Sequence, residues 1–263
     1  MTLNGESRLI AEAKTRTQGD ITLHEFKYSV TSKEMGKIVV LHAYDGAGNL
    51  LPLHRNSSGE DITQQGYPYS VQTYIQNTVR KNTDAKLVAL VKAMSDYGSK
   101  AQVQFNYDVA NAAEIYNPEA IAAVTLQDLA LYERVKIETE RKGMSYYGSN
   151  LTLDSMTIAR LLFTVESGSL NDYHFTLDGT AVEPGSYEGY VSIEIPSINA
   201  RDLDKLYTVE VHDSEGVFLT VKYGALSYAY QKVSKEATET PALVELCKAL
   251  YLYSEAANGY FGS

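Results

Sequence analysis

The chain has 263 residues, of which 33 are acidic and 23 basic, giving a net charge of −10; a surplus of acid excludes the clustered Lys and Arg that phosphate-backbone binding needs. Its 44% apolar and 21% charged content is that of a folded globular chain and argues against long disorder. The single cysteine, Cys247, excludes an internal disulfide, and no apolar run approaches the 18 residues of a membrane span.

In chain order, Met1 to Gln18 is expected to contribute opening strand material, and His24, Glu25 and Phe26 lie in a β-like run. The segment from Lys37 to Gly48 alternates and carries Asp45-Gly46, a hairpin-turn signal. Leu50 to Gln64 is polar and turn-rich, as a surface loop should be. Tyr69 to Lys81 is an amphipathic helical stretch. Beyond it Leu87, Leu90, Val91, Met94, Tyr97 and Ala101 recur at steps of three and four, which predicts a second helix capped by Asp84. Asp108 to Glu133, Ala- and Leu-rich with Pro118, is expected to form one or two short helices and a connector. Strand signals then follow at Leu151 to Phe163, Tyr173 to Leu177, Tyr190 to Ile195 and Tyr207 to Asp213. Leu226 to Lys235 and the run from Leu243 to Phe261 close the chain as helices, the latter opened by Thr240-Pro241.

The last helix repeats an earlier one. Without a gap, residues 87–105 align with 243–261 and share Leu87/Leu243, Val88/Val244, Leu90/Leu246, Lys92/Lys248, Ala93/Ala249, Tyr97/Tyr253, Ala101/Ala257 and Phe105/Phe261. The same offset of 156 carries Tyr67 onto Tyr223 and Tyr74 onto Tyr230. A strand segment repeats at an offset of 168, with Lys37/Lys205, Asp45/Asp213 and Gly48/Gly216, so the first copy holds an insertion within residues 50–64. Periods this long mean duplicated domains, since solenoid units recur every 20 to 50 residues. The expected fold is α+β: two related antiparallel, sandwich-like β modules, each followed by a helical hairpin, the hairpins packed together because two helices have little core of their own. The copies are placed at residues 1–108 and 136–263, joined by a connector over 109–135. The first copy lacks, within this chain, a counterpart of Tyr146 to Phe163.

Catalytic signals are missing. There is no phosphate loop, dinucleotide fingerprint or GxSxG elbow, and the His24-Glu25 start of an HExxH pattern runs on to Tyr28 and Ser29 without a second histidine. His24, His42, His54, His174 and His212 are scattered, with no pair at metal-ligand spacing, so no metal or cofactor is expected. Asp202 and Asp204, with Glu34 in the first copy, read as turn and capping residues more simply than as an acid–base pair, which must face across a cleft. Asp45 and Asp213 read as hairpin-turn residues, with too few oxygen ligands around them for calcium.

The strings LVKAMSDYGSKAQVQF, GSNLTLDSMTIARLLF, INARDLDKLYTVEV, YGALSYAY and LCKALYLYSEAANGYF together resemble modules of large secreted proteins of gut anaerobes of the clostridial and ruminococcal kind. The resemblance covers the chain from about Lys33 onward. It implies an extracellular, cell-surface or cellulosome-like setting beside neighbouring modules, with glycan adherence as a role, and carries over no catalytic residue. Sugar binding needs flat aromatic faces with polar groups alongside. In a chain of 21 Tyr and no Trp, the candidates are Tyr146 and Tyr147 in GMSYYGSN and Tyr187 and Tyr190 in PGSYEGY, read as loop aromatics. The expected function is therefore non-catalytic binding of a plant or storage polysaccharide such as starch. A structural spacer or protein-interaction domain is the alternative, and an enzyme of glycosidase or esterase type the third reading.

Overall fold

The computed structural model describes residues 2–3, 6–7, 14–55, 58–140, 143–153 and 156–262. Most of the stretch from Met1 to Ala13, expected to supply opening strands, lies outside the described residues apart from two short pieces of backbone. The fold is mixed α+β, with antiparallel sheets and five helices among the described residues.

The first part begins with β1 (Thr2–Leu3), β2 (Glu6–Ser7) and the hairpin β3 (Lys14–Gln18) with β4 (Ile21–Glu25). Strands β5 (Val39–Leu41) and β6 (Tyr67–Tyr69) pair antiparallel in a small sheet ordered β2-β1-β5-β6. The chain between them, where an insertion was expected, is irregular apart from two isolated bridges, Tyr44 to Leu50 and His54 to Asp61. Ile62 is its buried anchor.

Helix α1 (Val71–Lys81) is capped by the Ser70 hydroxyl, which accepts from the Thr73 amide. Helix α2 (Ala85–Gln104) is capped by Asp84, whose carboxylate accepts from the amides of Lys86 and Leu87. Val91 on α2 and Ile75 on α1 bury together with Met35. The connector contains α3 (Pro118–Ala123) and two 3₁₀ turns, and it is part of the interior: Ile121, Val124 and Leu129 belong to the main core. Buried Asp96 on α2 holds it there, accepting from the amides of Tyr116 and Asn117 and from the Asn117 side chain. A carboxylate this buried is stable only with such donors around it.

The second part is a nine-stranded β-sandwich followed by two helices. One sheet, ordered β11-β10-β14-β15-β7, is formed by β7 (Val135–Glu138), β10 (His174–Leu177), β11 (Thr180–Val182), β14 (Tyr207–Asp213) and β15 (Gly216–Tyr223). The other, ordered β12-β13-β9-β8, is formed by β8 (Met144–Thr152), β9 (Ile158–Val165), β12 (Gly185–Tyr187) and β13 (Tyr190–Ile195). Alternate residues point inward. Leu161, Phe163 and Ile193 from one sheet meet Phe175, Val209, Val211 and Leu219 from the other in a single buried cluster, with Phe163 and Phe175 rings 5.6 Å apart.

Helix α4 (Ala225–Val233) leads into α5 (Pro241–Phe261), and Leu226, Ala229, Leu246 and Leu250 extend the same core. Pro241 starts α5 where its missing amide proton costs nothing, although Thr240 makes no side-chain cap bond. Helix α2 lies against α5: the Tyr97 and Tyr253 rings stack at 5.7 Å and the Lys100 ammonium sits 2.7 Å from the Glu245 carboxylate.

Candidate functional site: the outer face of the second sheet

The four tyrosines singled out from the sequence stand on strands, not in loops. Two backbone features explain why. Glu188 (φ 51°) and Gly189 (φ 85°) form a two-residue turn with both residues left-handed, the geometry that matches the twist of paired strands. This turn makes Tyr187 and Tyr190 direct cross-strand partners, so both side chains rise from one face.

The second feature is a bulge in β8. Its register on β9 steps from Tyr146 opposite Phe163 to Gly148 opposite Leu162, leaving Tyr147 as the extra residue. A bulge re-aims side chains, and here it separates two neighbours that look alike in sequence. Tyr146 turns inward, its ring edge-on to Phe163 at 5.8 Å. Tyr147 turns outward, is 62% exposed, and stacks on Tyr190 with centroids 4.0 Å apart. Because β9 lies between β8 and β13, this pair reaches across a whole strand. Leu162, the outward residue of β9 between them, is only 6% exposed.

The rest of the face is polar. Arg160 on β9 lies with its guanidinium carbon 5.0 Å from the Tyr187 ring centroid, donates from Nε to Glu194 at 2.5 Å and from Nη1 to the Thr152 hydroxyl at 2.9 Å. Across the strand order β12-β13-β9-β8 the face thus presents Tyr187, then Tyr190 and Glu194, then Arg160 and Leu162, and finally Tyr147. The Tyr190 hydroxyl is held above its usual pKa by its hydrogen-bonding neighbour Tyr147 and by desolvation, so it remains a neutral donor and acceptor near neutrality. Chemically the face offers two kinds of contact: ring surface for apolar groups and charged or hydroxyl groups for polar ones. It brings together three of the four tyrosines and excludes Tyr146.

Arg160, Glu194 and Thr152 were not singled out from the sequence; the signal for them is cross-strand register, which only pairing reveals. The other chemistry-bearing residues are tied into local structure. Glu34 accepts from the Thr31 hydroxyl and the Tyr107 hydroxyl, and Asp204 accepts from the Asn258 amide. Asp45 accepts from the amides of Ala47 and Asn49 and from the Asn49 side chain, which keeps its carboxyl below the usual range and makes it a turn residue. His174 and His212, far apart in sequence, are cross-strand partners on the other sheet with rings stacked at 4.6 Å. Among the described residues, no three His, Cys, Asp or Glu side chains are grouped to hold a metal ion, and no helix is long and apolar enough to cross a membrane. Burial pushes the Cys247 thiol up to about 12, which leaves it unreactive near neutrality.

No known protein family matches the chain, and neither the curated proteins nor the solved structures contain a match to it.

Proposed function

We propose that the protein is a non-catalytic glycan-binding module that takes a plant or storage polysaccharide on the outer face of its second sheet, in the extracellular or cell-surface setting that the sequence resemblance implies. The observation that carries this reading is the convergence of Tyr147, Tyr187 and Tyr190 with Arg160 and Glu194 on one sheet face. Rings held by stacking lose little side-chain freedom when a sugar docks on their open faces. The Arg160–Glu194 pair supplies donors and acceptors already fixed in place. Affinity electrophoresis through gels containing starch, xylan, glucomannan or soluble cellulose tests it. At least one polysaccharide should retard the wild-type protein, and Tyr147→Ala should reduce that retardation several-fold; unaltered mobility in all four would refute the reading.

A second reading, a spacer or protein-interaction domain held among neighbouring modules, draws on a different surface. Edge strand β7 carries Val135 and Ile137 exposed, and Leu131 just before it is 85% exposed. An open edge with apolar side chains is a template for pairing with another chain. Duplication accords with either role. It is supported by helices α2 and α5, whose first residues are 156 positions apart, and by Tyr97 stacking on Tyr253, its counterpart at that same offset. A contact between equivalent positions is what a two-fold relation between copies produces.

A further inference from the structure

Between the edge strands β7 and β8 a partly buried guanidinium lacks a counter-ion among the described residues. Arg134 precedes β7 and stacks over the inward-facing Tyr146, its guanidinium carbon 4.9 Å from the ring centroid. Its one side-chain hydrogen bond among the described residues is long, from Nη1 to the Tyr146 hydroxyl at 3.5 Å. The Nε is buried with no acceptor. No carboxylate among the described residues lies within ion-pair distance of it, whereas Arg160, on β9 of the facing sheet, has Glu194.

Two further polar atoms share the defect. The Tyr223 hydroxyl, at the end of β15, and the Ser149 hydroxyl, inward on β8 because of the bulge, are both buried without an aligned partner. Tyr223 lies beside Ser149 and within electrostatic reach of Arg134 and Tyr146; burial raises its hydroxyl pKa strongly, so it stays protonated and able to donate. Buried polar groups are rarely left unmatched, because desolvation without a compensating hydrogen bond is unfavourable. Arg134 Nε and the hydroxyls of Tyr146, Ser149 and Tyr223 thus bring one positive charge and three hydroxyls together with no carboxylate, a set that an anion would complete.

The geometry points to a carboxylate-binding slot formed by Arg134, Tyr146, Ser149 and Tyr223, distinct from the outer sheet face and independent of the glycan reading. The Nε–Nη2 edge of a guanidinium is a planar two-donor fork that matches the two oxygens of a carboxylate. A single charge is neutralised by one carboxylate, whereas a phosphate dianion would remain uncompensated beside one arginine. The hydroxyls of Ser149 and Tyr223 can donate to the remaining lone pairs. The ligand is a small monocarboxylate or the carboxyl group of a sugar acid; the shared chemistry is the carboxylate.

The arginine Nε–H resonance of Arg134 in a proton–nitrogen spectrum reports the slot directly, and loss of that resonance in Arg134→Lys assigns it. Titration with sodium acetate and, separately, with sodium D-glucuronate should move it saturably, while sodium chloride at matched ionic strength should not. Saturation by both carboxylates gives a general carboxylate slot, and saturation by glucuronate at about tenfold lower concentration gives a sugar-acid site. Tyr146→Phe, which keeps the ring and removes the hydroxyl, should weaken binding by roughly threefold to tenfold. A resonance that ignores both carboxylates, or follows chloride equally, overturns the proposal and makes the slot a water site. Failure of the glycan reading has a different signature, loss of retention by neutral polysaccharides, so the two can fail separately.

Discussion

Residues 135–261 bury Phe163, Phe175, Leu161, Val209 and Leu219 between two sheets, whereas residues 14–104 close only Met35, Ile75 and Val91 into a cluster of their own. Helix α2 stands between the two: Val91 serves the small cluster, and Tyr97 and Ala101 serve the large one. The difference teaches where stability comes from. The first part owes its order to docking on the second, through α2 on α5 and through a connector whose Ile121, Val124 and Leu129 are core residues. The sandwich, with its own interior, can hold a rigid sheet face toward solvent.

Substitutions should separate the two parts by size of effect. Phe163→Ala, at a fully buried ring touching Tyr146 and Phe175, should cost about 4 kcal/mol in chemical denaturation; a loss below 1 kcal/mol would mean the sheets do not share one core. Tyr97→Ala removes the stacked partner of Tyr253 and should cost about 3 kcal/mol. Its hydrogen-exchange signature should be faster exchange in α1 and α2 with β9 still protected, and equal loosening of both parts would abolish the distinction drawn here. Ile75→Ala should cost about 2 kcal/mol, the low end for a buried aliphatic because its cluster is small and can collapse, with exchange raised in α1 alone. The smallest effect belongs to Cys247: native protein should give almost no reaction with a thiol reagent at pH 8 and one equivalent after unfolding, since burial holds the thiol up to about 12. Rapid labelling of native protein would show that α5 opens more readily than its core position allows.

Much of the helical part is legible in the amino-acid sequence, because a 3.6-residue period and a capping Asp84 are local signals. The antiparallel strands are legible as strands for the same reason. The candidate site is less so. Tyr146 and Tyr147 are adjacent and alike, and only a one-residue bulge, set by pairing with β9, sends one inward and the other out. Tyr187 and Tyr190 read as loop residues because Pro184, Gly185 and Gly189 surround them, yet a two-residue turn is short enough to keep both on strands. Arg160, Glu194 and Arg134 owe their importance to partners 8 to 34 positions away or to the lack of a counter-ion. The connector looked like a linker because alanine is common in both linkers and helix contacts; burial of Leu129 is a tertiary fact.

The most direct test of the sheet-face reading is amide chemical-shift mapping with oligosaccharides cut from each candidate polysaccharide. Saturable shifts confined to Tyr147, Gly148, Arg160, Leu162, Tyr187, Tyr190 and Glu194 are the expected result. Shifts clustered instead along β7, or none with any oligosaccharide, would contradict it.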